Sequence, residues 1–163
     1  MAVNPLLAST SPAGDAPLDE RLCLALYTAS RAMTARYRSS LVELGLTYPQ
    51  YLVMVLLWQE GSSSVSGIGQ RLSLDSSTLS PLLKRLQAMG LVTRTRDVRD
   101  ERLMIIGLTE RGQAIQDEAA HVTLEVCEAT GMPLSQHAEL VETLRELTDR
   151  LDASVRRLAD PEH

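Results

Sequence analysis

The order of elements between Val65 and Leu108 constrains this chain more than any other feature of it. Val65, Ile68 and Leu72 recur at helical spacing, and after a short break the polar run Asp75-Ser76-Ser77-Thr78 opens a second helix. That helix keeps Leu79, Leu82, Leu83, Leu86 and Met89 on one face, leaves Ser76, Ser77, Ser80, Lys84, Arg85 and Gln87 on the other, and ends at Gly90. Pro81 has no N–H to donate and fits its first or second turn. From Leu91 the periodicity changes from helical to alternating. Leu91 to Arg96 and Arg102 to Leu108 read as the strands of a hairpin, joined by the charged tip Asp97-Val98-Arg99-Asp100-Glu101.

Two short helices followed by a basic hairpin is the order of a winged helix-turn-helix, whose second helix fills a major groove while the wing touches the flanking backbone. The fold class expected is therefore mainly α (α+β). Charge agrees when it is read locally. The chain has a formal net charge of −5, yet Val65 to Arg102 holds seven basic residues (Arg71, Lys84, Arg85, Arg94, Arg96, Arg99, Arg102) against four acidic ones (Asp75, Asp97, Asp100, Glu101), which makes the stretch +3 and the remainder −8. Counterion release depends on the local patch, so an acidic total does not exclude double-stranded DNA as a partner. A solvated basic hairpin on an unrelated domain would explain the charge but not the order of elements. Ser76, Ser77, Thr78 and Ser80 are the candidates for groove contacts, with Lys84 or Arg85 and the wing residues Arg94 and Arg102 for phosphate.

The length, 163 residues, is that of one domain with a real core. Phe is absent and the aromatics are Tyr27, Tyr37, Tyr48, Tyr51 and Trp58, so the core must come from aliphatic residues and Met, which favours helices. Residues 1–17 are rich in Ala, Ser and Pro without a basic, apolar leader, and are expected to be a disordered tail, neither signal peptide nor membrane span. The expected compartment is the cytoplasm, where Cys23 and Cys127 rest as thiols. His121, His137 and His163 and the two cysteines have no metal-ligand spacing, and no phosphate loop or nucleophile elbow is present, so neither metal nor cofactor is implied and no enzyme is expected.

The remaining helices lie outside the DNA-reading segment. Asp19 and Glu20 suit a helix start, and the apolar spacing from Leu22 to Leu44 predicts a first helix of about 26 residues. Pro49 opens a mostly buried helix through Tyr51, Leu52, Val55, Leu56 and Trp58 to Gly61, with Ser62 to Ser64 as a loop. Thr109 caps a helix lined by Ile115, Ala119, Val122 and Val126 that breaks at Gly131-Met132-Pro133. From Ser135, Leu140, Leu144, Leu147, Leu151, Val155 and Leu158 form a short heptad-like seam. One small winged helix cannot cover so much amphipathic surface. The economical arrangement is a homodimer, with residues 18–160 as a single domain in which 48–108 read DNA and the helices 18–44 and 110–159 dimerise.

These residues resemble a known family. The element order, the hairpin from Leu91-Val92-Thr93-Arg94 to Leu108-Thr109 and the pattern Asp97-x-Arg99-x-x-Arg102 are similar to the MarR family of dimeric winged-helix repressors, over about Leu18 to Leu158. The runs Leu22 to Tyr27, Leu44 to Met54 and Leu74 to Leu86 resemble its OhrR-type organic hydroperoxide regulators. The resemblance implies a repressor that binds an inverted-repeat operator when Cys23 is reduced and releases it when an organic hydroperoxide oxidises Cys23. It further implies that Tyr37 and Tyr48 hydrogen-bond Cys23 from the partner subunit, that Asp100 holds a wing arginine by a charge-assisted bond, and that Cys23 joins Cys127 of the other subunit in a disulfide.

The chemistry of the residues points the same way. Cys23 falls in the first two turns of a helix, where the positive end of the dipole favours the thiolate that peroxide attacks, although Asp19 and Glu20 oppose it. Tyr37 is fourteen residues further along the same helix, about 21 Å away, so it reaches a cysteine only across a dimer. Read without the family, Cys23 and Cys127 are equally small apolar packing residues. Two rivals remain: a MarR-type repressor that binds an apolar or phenolic ligand non-covalently, and a thiol peroxidase, against which a single hairpin in place of alternating strands and helices counts.

Overall fold

A computed structural model describes residues 17–159, so the tail expected over residues 1–17 lies, except for Pro17, outside the described residues. In chain order they form a 3₁₀ turn Leu18–Glu20, α1 Leu22–Ser40, α2 Tyr48–Glu60, β1 Ser62–Ser64, α3 Val65–Leu72, α4 Ser76–Ala88, β2 Val92–Arg96, β3 Met104–Leu108, α5 Glu110–Thr130 and α6 Leu134–Ala159. This is a winged helix-turn-helix, mainly helical with one small sheet. Of the described residues, those up to Val126 form one compact unit and those from Cys127 onward a second.

The first unit is built around α2. The helix starts at a reciprocal cap, in which the Thr47 side chain accepts the N–H of Gln50 and the Thr47 N–H donates to Gln50 Oε1 at 2.8 Å, with Pro49 in the first turn. Gln50 can be buried because that bond satisfies its amide oxygen. Val53, Met54 and Leu57 are fully covered and Tyr51 and Leu56 nearly so, so α2 is apolar around most of its circumference. Leu41, Ile68, Leu79, Leu83, Leu86 and Ile106 close around it, each such burial worth about 1.5–3 kcal/mol. The apolar face predicted for α4 is the buried face observed.

Two elements differ from the reading of the sequence. The first helix has 19 residues, because Arg21 is extended (φ −82°, ψ 125°) and separates it from the 3₁₀ turn that takes Asp19 and Glu20. At its other end a turn through Gly45 (φ 63°) replaces helix from Leu41 onward. Ser62 to Ser64 are not a loop but β1, the edge of a three-stranded antiparallel sheet in the order β1-β3-β2, with Ser63 opposite Ile106. Three serines carry no strand pattern; the ladder is made by backbone groups that the far edge of β3 leaves available. Beneath the wing β2 and β3 pair from Val92↔Leu108 to Arg96↔Met104.

The start of α5 is held against the end of α4 at close range. Thr109 donates its N–H to the Leu91 carbonyl (3.1 Å) and its hydroxyl to the Gly90 carbonyl (2.7 Å), and its Oγ1 accepts the Gly112 N–H (2.9 Å). A Cβ on Gly112 would stand 2.0 Å from the Leu91 carbonyl oxygen, so only glycine allows this approach. Trp58 Nε1 donates to the Gly112 carbonyl at 2.8 Å, tying α2 to the same point.

In the second unit, Thr130 donates its hydroxyl to the Cys127 carbonyl (2.7 Å) and lies 2.6 Å from His137 Nε2. Gly131 (φ 66°) ends α5. No residue of α6 is buried, and Leu140, Leu144, Leu151, Val155 and Leu158 are exposed along it. None of the described helices is long and apolar enough to cross a membrane.

Candidate DNA-reading and thiol sites

The N-terminus of α4 is organised by Asp75. Its Oδ1 accepts the Thr78 N–H (2.8 Å) and the Ser77 hydroxyl, and its Oδ2 accepts the Thr78 hydroxyl (3.1 Å). The Ser77 hydroxyl, followed by the two Thr78 donors, pulls the Asp75 pKa down to about 2. Two of the four hydroxyls expected to face the groove are thus already engaged by the cap; Ser76 is exposed and Ser80 half-buried. A carboxyl whose folded pKa is depressed contributes stability that is complete above its ordinary value of 3.8 and lost as pH falls toward about 2. Amide-exchange protection of Thr78 is therefore expected to persist at pH 5 and to decline below about pH 4, whereas Asp75→Ala shows the unprotected first turn at every pH. Protection unchanged in Asp75→Ala refutes the assignment of the cap.

Lys84 and Arg85 are exposed on α4, one turn beyond Ser80. Across a groove bordered by Ser66, Gln70 and Ser76, the base of the wing presents Arg94 and Arg102. None of Lys84, Arg85, Arg94, Arg99 and Arg102 is in an ion pair among the described residues, so their charges remain available to an anion. The wing tip is a pair of carboxylate-closed turns. Asp97 Oδ1 accepts the N–H groups of Arg99 (2.7 Å) and Asp100 (3.0 Å), and Asp100 Oδ1 accepts that of Arg102 (3.0 Å). Among the described residues Asp100 is in no ion pair with an arginine side chain, which the resemblance had implied. It fixes the backbone of Arg102 instead, because a short carboxylate reaches the N–H two residues on more readily than a guanidinium.

The two thiols are free, Cys23 exposed and Cys127 half-buried. Cys23 is the second residue of α1, a turn containing no acidic residue, since Asp19 and Glu20 precede the helix. Tyr37, near the other end of α1, stacks on Tyr48 (ring centroids 4.4 Å apart) and tilts against Tyr51 (5.7 Å), which meets Trp58 edge-on (6.2 Å). Tyr27 stands apart, exposed under Arg31. Burial, reinforced by Tyr51, pushes the Tyr48 pKa upward, so its phenol keeps its proton and remains a donor. The structure therefore brings Tyr37 and Tyr48 together and leaves Cys23 at the far end of the same helix. Among the described residues no group of His, Cys, Asp and Glu is arranged to hold a metal.

Sequence reasoning missed one polar cluster. Ser40, the only buried residue of α1, donates to Glu125 of α5 at 2.7 Å, and Arg36 reaches both Ser40 Oγ and Glu125 Oε2 (3.3 Å). The Ser40 hydroxyl, and after it the Arg36 guanidinium, hold the Glu125 carboxyl below the usual glutamate range. The four-residue spacing of Arg36 and Ser40 was visible as one helix face, but nothing in the sequence pairs it with a residue 85 positions away.

Comparison with known proteins agrees with the winged-helix fold. Residues 36–119 match the family described as transcriptional regulator SarA/Rot. The chain is 46% identical to the HTH-type transcriptional regulator TtmR of Methylorubrum extorquens, over 83% of this chain and 70% of TtmR. It is 41% identical to the organic hydroperoxide resistance transcriptional regulator of Bacillus subtilis, over 79% of this chain and 90% of that one. Among solved structures it is similar to AbfR, a protein of Staphylococcus epidermidis. Reduced AbfR bound to DNA matches with a TM-score of 0.68 at 36% identity, covering 82% of this chain and 94% of AbfR. Disulfide-formed AbfR matches with a TM-score of 0.58 at 37% identity, covering 80% and 92%.

Proposed function

Because the chain belongs to the SarA/Rot-type, MarR-like family of winged-helix transcriptional regulators, we propose that it is a redox-sensing repressor of the OhrR kind, binding an inverted-repeat operator as a reduced homodimer and releasing it when an organic hydroperoxide oxidises Cys23. In this reading the terminal peroxide oxygen passes to the Cys23 thiolate and the alcohol leaves. The thiol of Cys127 in the partner subunit then attacks the sulfenic sulfur, the S–O bond breaks, and water departs as the disulfide forms. The peroxide is the two-electron oxidant of the whole sequence. Residues 18–160 act as one MarR-type domain in the cytoplasm, with 48–108 on the DNA and 18–44 and 110–159 in the dimer interface.

The observation that carries this reading is the separation of Cys23 from the stacked Tyr37–Tyr48 pair along one helix. Two such helices, antiparallel across a two-fold axis, bring each thiol to the other subunit's phenols, and a Tyr48 that keeps its proton can donate to a thiolate. The exposed apolar stripe of α6 supplies surface for the same interface. The resemblance to AbfR in reduced, DNA-bound and disulfide forms supports redox control in a relative. The test is a gel shift with reduced protein, repeated after one equivalent of cumene hydroperoxide and again after dithiothreitol. Retardation, release and recovery are expected. A complex indifferent to peroxide but dissolved by a phenolic compound assigns the protein to non-covalent ligand sensing.

On the DNA side, this reading assigns groove contacts to Ser76, Ser77, Thr78 and Ser80, with Ser77 and Thr78 acting as acceptors because their hydroxyl protons go to Asp75. Lys84, Arg85, Arg94 and Arg102 neutralise phosphates, with Asp100 shaping the turn that presents Arg102. Replacing Arg94 or Arg102 by alanine is expected to weaken binding to specific and random duplexes alike. Each replacement should also flatten the dependence of log K on log salt by about one unit. Unchanged slopes in both variants would move the phosphate contacts away from the wing.

A further inference from the structure

The Arg36–Ser40–Glu125 cluster lies outside both the DNA-reading surface and the thiols, and its position is informative. Among the described residues of the first unit, α5 carries three polar attachments to preceding helices. The Gly112 carbonyl accepts from Trp58 of α2, Thr123 Oγ1 pairs with Tyr51 Oη of α2 at 2.9 Å, and Glu125 accepts from Ser40 and Arg36 of α1. The last of these is two residues before Cys127 on the same helix. It also grips the helix that carries Cys23 and Tyr37, through a hydroxyl that is one of only two buried polar side chains among the described residues. The other, Gln50, is accounted for by its cap.

We propose that Arg36, Ser40 and Glu125 form a clasp between α1 and α5 that must open before Cys127 condenses with oxidised Cys23, so that these three positioning residues set the rate of disulfide formation without touching either sulfur. The inference rests on the disulfide switch of the preceding section. A disulfide requires Cα atoms within about 7 Å, so the segment bearing Cys127 has to be free to adjust. A hydroxyl that donates to a carboxylate while accepting from a guanidinium holds both helices in one register. The clasp acts after the oxygen-transfer step. Its removal leaves the consumption of peroxide by Cys23 unchanged and accelerates the attack of Cys127 on the sulfenic sulfur, with water as the leaving product as before.

The test follows both steps in the full-length protein after one equivalent of cumene hydroperoxide. Sulfenic acid is trapped with dimedone, and disulfide is read by electrophoresis without reductant. Ser40→Ala and Glu125→Gln are expected to form the disulfide roughly three- to tenfold faster than the unmodified chain, the rate equivalent of losing one to two modest hydrogen bonds, with an unchanged rate of sulfenic acid formation. Ser40→Thr, which keeps the hydroxyl, is expected to restore the original rate. Should Ser40→Ala fail to fold, Glu125→Gln, at a half-buried position, carries the test alone. Variants that lose thermal stability yet form the disulfide at the original rate would make the cluster a packing feature and overturn the proposal. An unmodified chain that consumes peroxide without forming any Cys23–Cys127 bond would instead overturn the disulfide reading, and the clasp's role with it.

Discussion

Cys23→Ser is expected to bind operator DNA within about a factor of two of the unmodified protein and to ignore organic hydroperoxide at concentrations that release the latter completely. Serine keeps the size of the side chain, and Cys23 is exposed and contributes nothing to the core, so folding and DNA affinity have no reason to change. The hydroxyl cannot form a sulfenic acid, which removes the first chemical step outright. The covalent consequence is as large. Peroxide should convert the 17.9 kDa band to one of about twice that mass without reductant, reversed by dithiothreitol and absent in both Cys23→Ser and Cys127→Ser. Two outcomes are informative in opposite directions. Peroxide-dependent release surviving in Cys23→Ser excludes this thiol as the sensor. Release in the unmodified protein without a covalent dimer leaves Cys23 in place but transfers the switch to its sulfenic acid or to a mixed disulfide with a small thiol.

The other large effect is on stability. Gly112→Ala should cost more than about 3 kcal/mol, although alanine in a helix ordinarily gains up to about 1 kcal/mol over glycine. The added methyl would sit 2.0 Å from the Leu91 carbonyl oxygen and 2.9 Å from its carbon, both of them backbone atoms. Neither can retreat freely, because the Leu91 carbonyl accepts from Thr109 and the Gly112 carbonyl accepts from Trp58. Relief therefore means separating α5 from α2 and from the end of α4. Gly131→Ala is the control. Its φ of 66° imposes backbone strain of about 1–2 kcal/mol, but nothing stands within 4 Å of the new Cβ. Urea titration that ranks Gly131→Ala as the more damaging of the two would refute the close approach.

How far the sequence revealed this molecule varies by element. The faces of α4, the helix-turn-helix order and the wing were legible because buried leucines at helical spacing and alternating strand residues each leave a period in the chain. The carboxylate cap at Asp75 was legible as a residue type, but its double grip on Ser77 and Thr78 was not. β1 was illegible because its pairing is made by the backbone of three serines, which are chosen by the neighbouring strand and not by their own side chains. The early end of the first helix was hidden for a related reason. Leu41 and Leu44 continue the apolar spacing, and they still pack inward after the chain has left the helix. Of the candidate sites, the place of Cys23 near a helix start and the cations of the wing could be read from position in the sequence. The exposure of Cys23 could not, since a small thiol reads equally as a buried packing residue. The Tyr37–Tyr48 stack and the Ser40–Glu125 bond depend on contacts between distant segments that no local pattern encodes.

The bond from Trp58 to the Gly112 carbonyl makes the protein its own optical probe. Trp58 is the single tryptophan of the chain, so its emission comes from one half-buried indole whose ring polarity is set by that carbonyl and by the edge of Tyr51. Excitation at wavelengths that spare tyrosine therefore reads the junction of α2 and α5 without any attached dye. A shift in wavelength or quantum yield on titration with oxidant, or with operator, would time the movement of that joint in the native regulator against the loss of thiol, on the millisecond scale of a stopped-flow trace.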